Sequence, residues 1–180
     1  MARRERLTQD ELAYQVCTHL LYELKWLIFA ADAFQRTEGG SYVAFLDSAS
    51  IHARNLFEFA AKKDTTRFTL YALGGRAAKS DAWDRWVNNR VAHMFEREHD
   101  KAPWPEGREG WDRSDKLMRM AGAVLRRLRD GCVPIPRGPL RDAYEEVLSA
   151  SEVYWISPTP QNHELLADLY DDSQDEPYPD

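Results

Sequence analysis

Residues 42–61 read YVAFLDSASIHARNLFEFAA. Leu46, Ala49, Ala53, Leu56 and Ala60 recur at spacings of three and four, the period of a helix with one buried face. The small residues on that face let a neighbouring helix approach closely. Inside the same run stands a polar cluster, His52-Ala53-Arg54-Asn55. Polar groups in a packed helix cost stability unless they are hydrogen-bonded. This stretch therefore predicts a helix over about 41–63 that carries partners for its own polar side chains.

The chain on either side repeats the helical period. Thr8-Gln9-Asp10-Glu11 fits a capping box, with Thr8 as N-cap and Glu11 reaching back. The helix it opens runs to about Arg36, with Leu12, Val16, Leu20, Leu24, Leu27, Ala31 and Phe34 as its apolar stripe. Gly39-Gly40 ends it. Asp64-Thr65-Thr66 breaks the second helix, residues 67–73 are ambiguous, and Gly74-Gly75 makes a turn. Ser80 caps a third helix to about His99, with Trp83, Val87, Val91 and Met94 on one face. Residues 101–111 hold two prolines and two glycines and form a loop that packs through Trp104 and Trp111. A fourth helix covers about 112–129, with Leu117, Ala121, Val124 and Leu128 inward. Pro139 starts a fifth to about Ala150, and Thr159-Pro160 starts a last one to about Tyr170.

These elements predict an all-α fold: an antiparallel four-helix up-down bundle with short C-terminal helices. Residues 1–150 form the bundle, 151–170 a helical appendage and 171–180 an acidic disordered tail. A chain of 180 residues, 43% hydrophobic with six tryptophans, can bury a real core. The net charge of −6 comes from the tail, because the last thirteen residues carry six acids and no base. The remaining body is neutral, so global charge does not point to nucleic acid. Cys17 and Cys132 form no disulfide framework, and Cys17 reads as a buried thiol. No leader is visible and charges interrupt every apolar run, so a cytoplasmic location and no membrane are expected.

A second polar cluster, Asn88-Asn89-Arg90-Val91-Ala92-His93, lies on the third helix. Asn89 and His93 are four apart and Glu96 three further, so they form a column on one side. That column lies opposite the Val87–Val91 stripe. It faces solvent, a groove or a second subunit, and Trp86 beside it suits a two-fold interface. The bland counterpart is a solvated helix face. On the second helix His52 falls beside the buried face and Asn55 one turn along, whereas Arg54 projects elsewhere. The bland counterparts here are a core histidine with a partner and an Arg54–Glu58 ion pair.

His-Ala-Arg-Asn-Leu at 52–56, Asn-x-x-x-Ala-His ending at His93, and the Trp-Pro loop together resemble a group of small bacterial helical proteins. That group is similar to the HEPN superfamily of nucleotide- and RNA-binding helical domains, over about residues 10–130. The resemblance implies a homodimer with a metal-free composite site. It places His93 at the catalytic histidine and Asn88 or Asn89 at the polar position. The family's arginine spacing falls on Trp86, Val87 and Asn88, so Arg54 is left to supply the guanidinium. In that chemistry His93 takes the proton of an RNA 2′-hydroxyl, Arg54 steadies the phosphorane, and Asn89 orients or binds.

The catalytic set expected is thus His93, Arg54 and Asn89, with His52, Asn55, Asn88 and Glu96 as a further polar site. No metal and no cofactor is expected. Glu96-x-x-His99 is half of a di-iron pattern, and His19, His52 and His93 stand on three different helices. No Gly-rich phosphate loop, GxSxG elbow or zinc spacing appears. The fourth helix is basic, a phosphate-contacting face or a solvated one. The function expected is RNA or nucleotide binding, extending to metal-independent RNA cleavage in a defence or toxin-like system. The alternative is a non-catalytic helical module that dimerises or binds a protein partner.

Overall fold

The computed structural model describes residues 6–37, 42–79, 83, 85–88 and 113–164. Among these residues there are helices and turns and no strand, as an all-α class requires. The first rod begins as α1 (Gln9–Gln15), passes through a π-helical turn (Val16–Leu20) and continues as α2 (Leu21–Arg36). It is followed by α3 (Tyr42–Ala61), α4 (Arg113–Cys132) and α5 (Pro139–Ile156). Residues 85–88, within the expected third helix, are helical, and so are residues 160–164.

The local rules act where the sequence places them. The Thr8 hydroxyl accepts the Glu11 backbone N–H at 3.2 Å, and the Glu11 carboxylate accepts the Thr8 backbone N–H at 2.6 Å. Thr159 also caps, accepting the Asn162 N–H on its hydroxyl at 3.3 Å. The rod departs from a uniform α-helix for a physical reason. Leu12, Val16, Leu20 and Leu24 are spaced by four, so each step rotates about 40° off a fixed face of a 3.6-residue helix. A π turn widens the helix by one residue and brings the face back; all four side chains are buried.

α2 packs against α3, α4 and α5, while α1 and the π turn rest on α5. At the α4–α5 contact the Trp155 indole lies on the bare backbone of Gly122, where a Cβ would sit 2.6 Å from the ring. The indole Nε1 donates to the Met118 carbonyl at 2.8 Å. Arg129 and Glu152 tie the same two helices through a two-pronged ion pair, 2.5 and 3.1 Å. Arg141 closes the end of α4 by donating to the carbonyls of Cys132 at 2.7 Å and of Val133 and Ile135 at 3.1 Å. Those carbonyls have no partner inside the helix, so a guanidinium there is favourable.

Three expectations change in detail. α5 continues to Ile156, beyond the expected end near Ala150, because Ser151 and Tyr154 are buried and no breaker precedes Ser157-Pro158. Cys17 is half-buried, and Cys132 is the buried thiol, 3.1 Å from the Arg129 carbonyl. Trp86 packs edge-on to Trp83, ring centroids 6.2 Å apart, with both buried. Trp86, expected beside an exposed polar column, is thus itself buried. The Gly39-Gly40 stop, the Ser80 cap, the third helix beyond 88, the 101–111 loop and the segment from 165 onward lie outside the described residues. Among the described residues no helix is long and apolar enough to cross a membrane.

Candidate functional site

The first polar cluster is organised by an acid on another helix. His52 Nδ1 donates to Glu23 Oε2 at 2.7 Å, and Asn55 Nδ2 donates to Glu23 Oε1 at 3.0 Å. A carboxylate can only accept, so Nδ1 is the donor of this bond. Tyr22 stands edge-on to the imidazole, centroids 5.7 Å apart. α2 and α3 are thereby joined at one point by two hydrogen bonds to a charged group. Glu23 and Asn55 also edge a cleft of about 290 Å³, rimmed by His19, Lys62 and Arg67 over Leu20 and Phe59.

Arg54 takes no part in this cluster. It lies about 200° around α3 from His52, and its Nε is 3.3 Å from the Glu58 carboxylate. Glu58 also receives Lys62 Nζ at 2.5 Å. The Lys62 hydrogen bond, followed by the charges of Lys62 and Arg54, holds the Glu58 carboxyl below the usual carboxylate range against its partial burial. The cluster 52–55 is thus split: His52 and Asn55 meet at Glu23, and Arg54 belongs to an ion-pair ladder along α3. Asn88 is exposed on the helical turn at 85–88. Asn89, His93 and Glu96 lie outside the described residues.

A second feature comes from a segment without periodicity. After α3 the chain folds against the end of that helix, with Leu70 N–H on the Phe59 carbonyl at 3.0 Å and Ala78 N–H on the Ala60 carbonyl at 2.8 Å. Arg76 N–H reaches the Gly131 carbonyl at 2.8 Å. Leu70 fills the space that a side chain at Gly131 would take, which lets the segment lie against the last turn of α4. Between residues 76–79 and α4 is a cleft of about 440 Å³. Arg76, Lys79, Arg126 and Arg127 line it, with Asp130 as an acid and Trp83 in its wall. The Arg76 guanidinium is held by the Asp130 carbonyl at 3.4 Å, and Arg127 lies over the Phe57 ring at 4.6 Å.

Sequence reasoning missed Glu23, Arg76 and Lys79. Glu23 had a signal, an acid set among apolar residues of a buried helix. Arg76 and Lys79 had none, because nothing periodic places residues 74–79. Among the described residues no three His, Cys, Asp or Glu side chains are grouped to hold a metal ion. Compared with protein-family models, curated proteins and solved structures, the chain matches none.

Proposed function

We propose that the chain is a HEPN-like RNA- or nucleotide-binding protein built as an antiparallel up-down bundle. The observation that carries this reading is the basic side of α4. Lys116, Arg119, Arg126 and Arg127 fall within about 100° of one another around the helix, and the last two line the cationic cleft. A row of cations about three turns long ending in a cleft suits a ligand with several phosphates. In its catalytic form the reading assigns His93 as general base, Asn89 as orienting group and Arg54 as the guanidinium. A homodimer, a cytoplasmic location and a defence or toxin-like role belong to the same proposal.

The test is fluorescence anisotropy with a labelled single-stranded RNA over a salt series. Binding should weaken steeply with salt, and Arg119→Ala should weaken it and flatten the slope by about one ion. In a cleavage assay, activity should survive EDTA, leave a 2′,3′-cyclic phosphate and fall roughly 10²-fold or more in His93→Ala. Chelator-insensitive cleavage untouched by His93→Ala would remove the site assignment.

One observation favours the alternative of a non-catalytic dimerisation or protein-interaction module. His52 and Asn55 are committed to Glu23, and Arg54 to Glu58. That reading predicts no cleavage of any RNA and a His93→Ala variant with unchanged behaviour.

A further inference from the structure

The cleft between residues 76–79 and the last turns of α4 differs from the open basic row beside it. It is a shallow cleft with the volume of a small-ligand site, about 440 Å³. Its cations arrive from two directions: Arg76 and Lys79 on the returning segment, Arg126 and Arg127 on α4. Two of them are fixed in place by other contacts, Arg76 by the Asp130 carbonyl and Arg127 by the face of Phe57. Preset guanidiniums lose little freedom on meeting a phosphate. The fold also places Asp130 in the lining, an acid that would repel a bare phosphate but accept from a hydroxyl. Ala77, Ala78, Ala123 and Trp83 supply the apolar part of the lining. Cations for phosphate, a carboxylate for hydroxyls and an apolar side together match three parts of one molecule.

We propose that this cleft is a site for a nucleoside monophosphate: Arg76, Lys79, Arg126 and Arg127 surround the phosphate, Asp130 accepts ribose hydroxyls and the side lined by the alanines and Trp83 receives the base. The inference rests on reading the basic side of α4 as facing phosphate, and it adds a small-ligand site to that side. It also gives Asp130 a purpose that a track for nucleic-acid backbone would not have.

Isothermal titration of the full chain with AMP, adenosine and inorganic phosphate tests it. AMP should bind more tightly than either fragment. Lys79→Ala, at an exposed position, should weaken AMP about tenfold while leaving the circular dichroism spectrum unchanged. Asp130→Asn should tighten inorganic phosphate and weaken adenosine, a pair of opposite shifts that loss of structure would not give. AMP affinity equal to that of phosphate in the wild-type chain, or unchanged by Lys79→Ala, overturns the proposal. RNA anisotropy on the same samples separates the two readings. RNA binding sensitive to Arg119→Ala but without AMP binding sinks the cleft alone. AMP binding without RNA binding keeps the cleft and removes the RNA track.

Discussion

Glu23 is the residue on which the α2–α3 contact turns chemically. Its carboxylate accepts from both His52 and Asn55, so truncating it leaves two donors without partners on a half-buried flank. Glu23→Ala should cost about 1–3 kcal/mol, the range for hydrogen bonds to a charged group that is partly open to water. Asn55→Ala should cost less, because that side chain is exposed. Urea denaturation of both variants measures the difference, and equal effects would show that the His52 bond adds nothing. A second residue sets a pH dependence. His163 packs against Phe29 and Tyr154, and burial followed by the charge of Lys25 pushes its pKa below the ordinary value. The unfolded chain therefore takes up this proton at a higher pH than the folded chain does. The contribution of His163 is complete above the ordinary histidine value near 6.5 and is lost as pH falls through the lower folded value. Thermal melts from pH 7.5 down to 5 should show a smaller loss in His163→Gln than in the wild-type chain.

Among the elements, helices with a cap and a stripe were legible and the joins between them were not. Thr8, Thr159 and Pro139 act within one turn of sequence, so composition alone locates those starts. The Glu23–His52 contact spans 29 residues and needs the packing of α2 on α3, which no local pattern contains. The spacing did separate Arg54 from His52, because helical geometry fixes the angle between neighbours on one helix. Segment 69–79 was illegible for a further reason: backbone bonds to the ends of α3 and α4 hold it, not a periodic apolar face. Its anchor is Leu70 in the hollow left by Gly131. Gly131→Ala would drive a methyl group into Leu70, which is fully buried and has nowhere to turn. We expect about 1–3 kcal/mol of destabilisation, despite the gain in helix propensity. Cationic-cleft ligands should weaken in parallel, since Arg76 and Lys79 travel with that segment. A Gly131→Ala chain as stable as the wild type would show that Leu70 is a passive neighbour.

At the scale of the molecule, the rod formed by α1, the π turn and α2 reaches α3, α4 and α5. Its orientation therefore sets the core as a whole. The four-residue spacing from Leu12 to Leu24 was the one trace of the π turn in the sequence, and it passes for an ordinary helical stripe unless the 40° drift is added up. The wider turn means that the rod holds one residue more than its own geometry needs. Length variation should then be tolerated at one place. Removing Cys17 leaves Leu12, Val16, Leu20 and Leu24 on a single face of a regular α-helix, so the shortened chain should fold and melt cooperatively. Removing Lys25, inside the regular part of α2, turns everything before it by about 100° relative to the core and should abolish folding. Circular dichroism melts of the two single-residue deletions decide this. Equal damage from both would mean that the π turn is required as such. A folded chain without Cys17 would mark the turn as the seam at which this helix gained a residue and kept its partners.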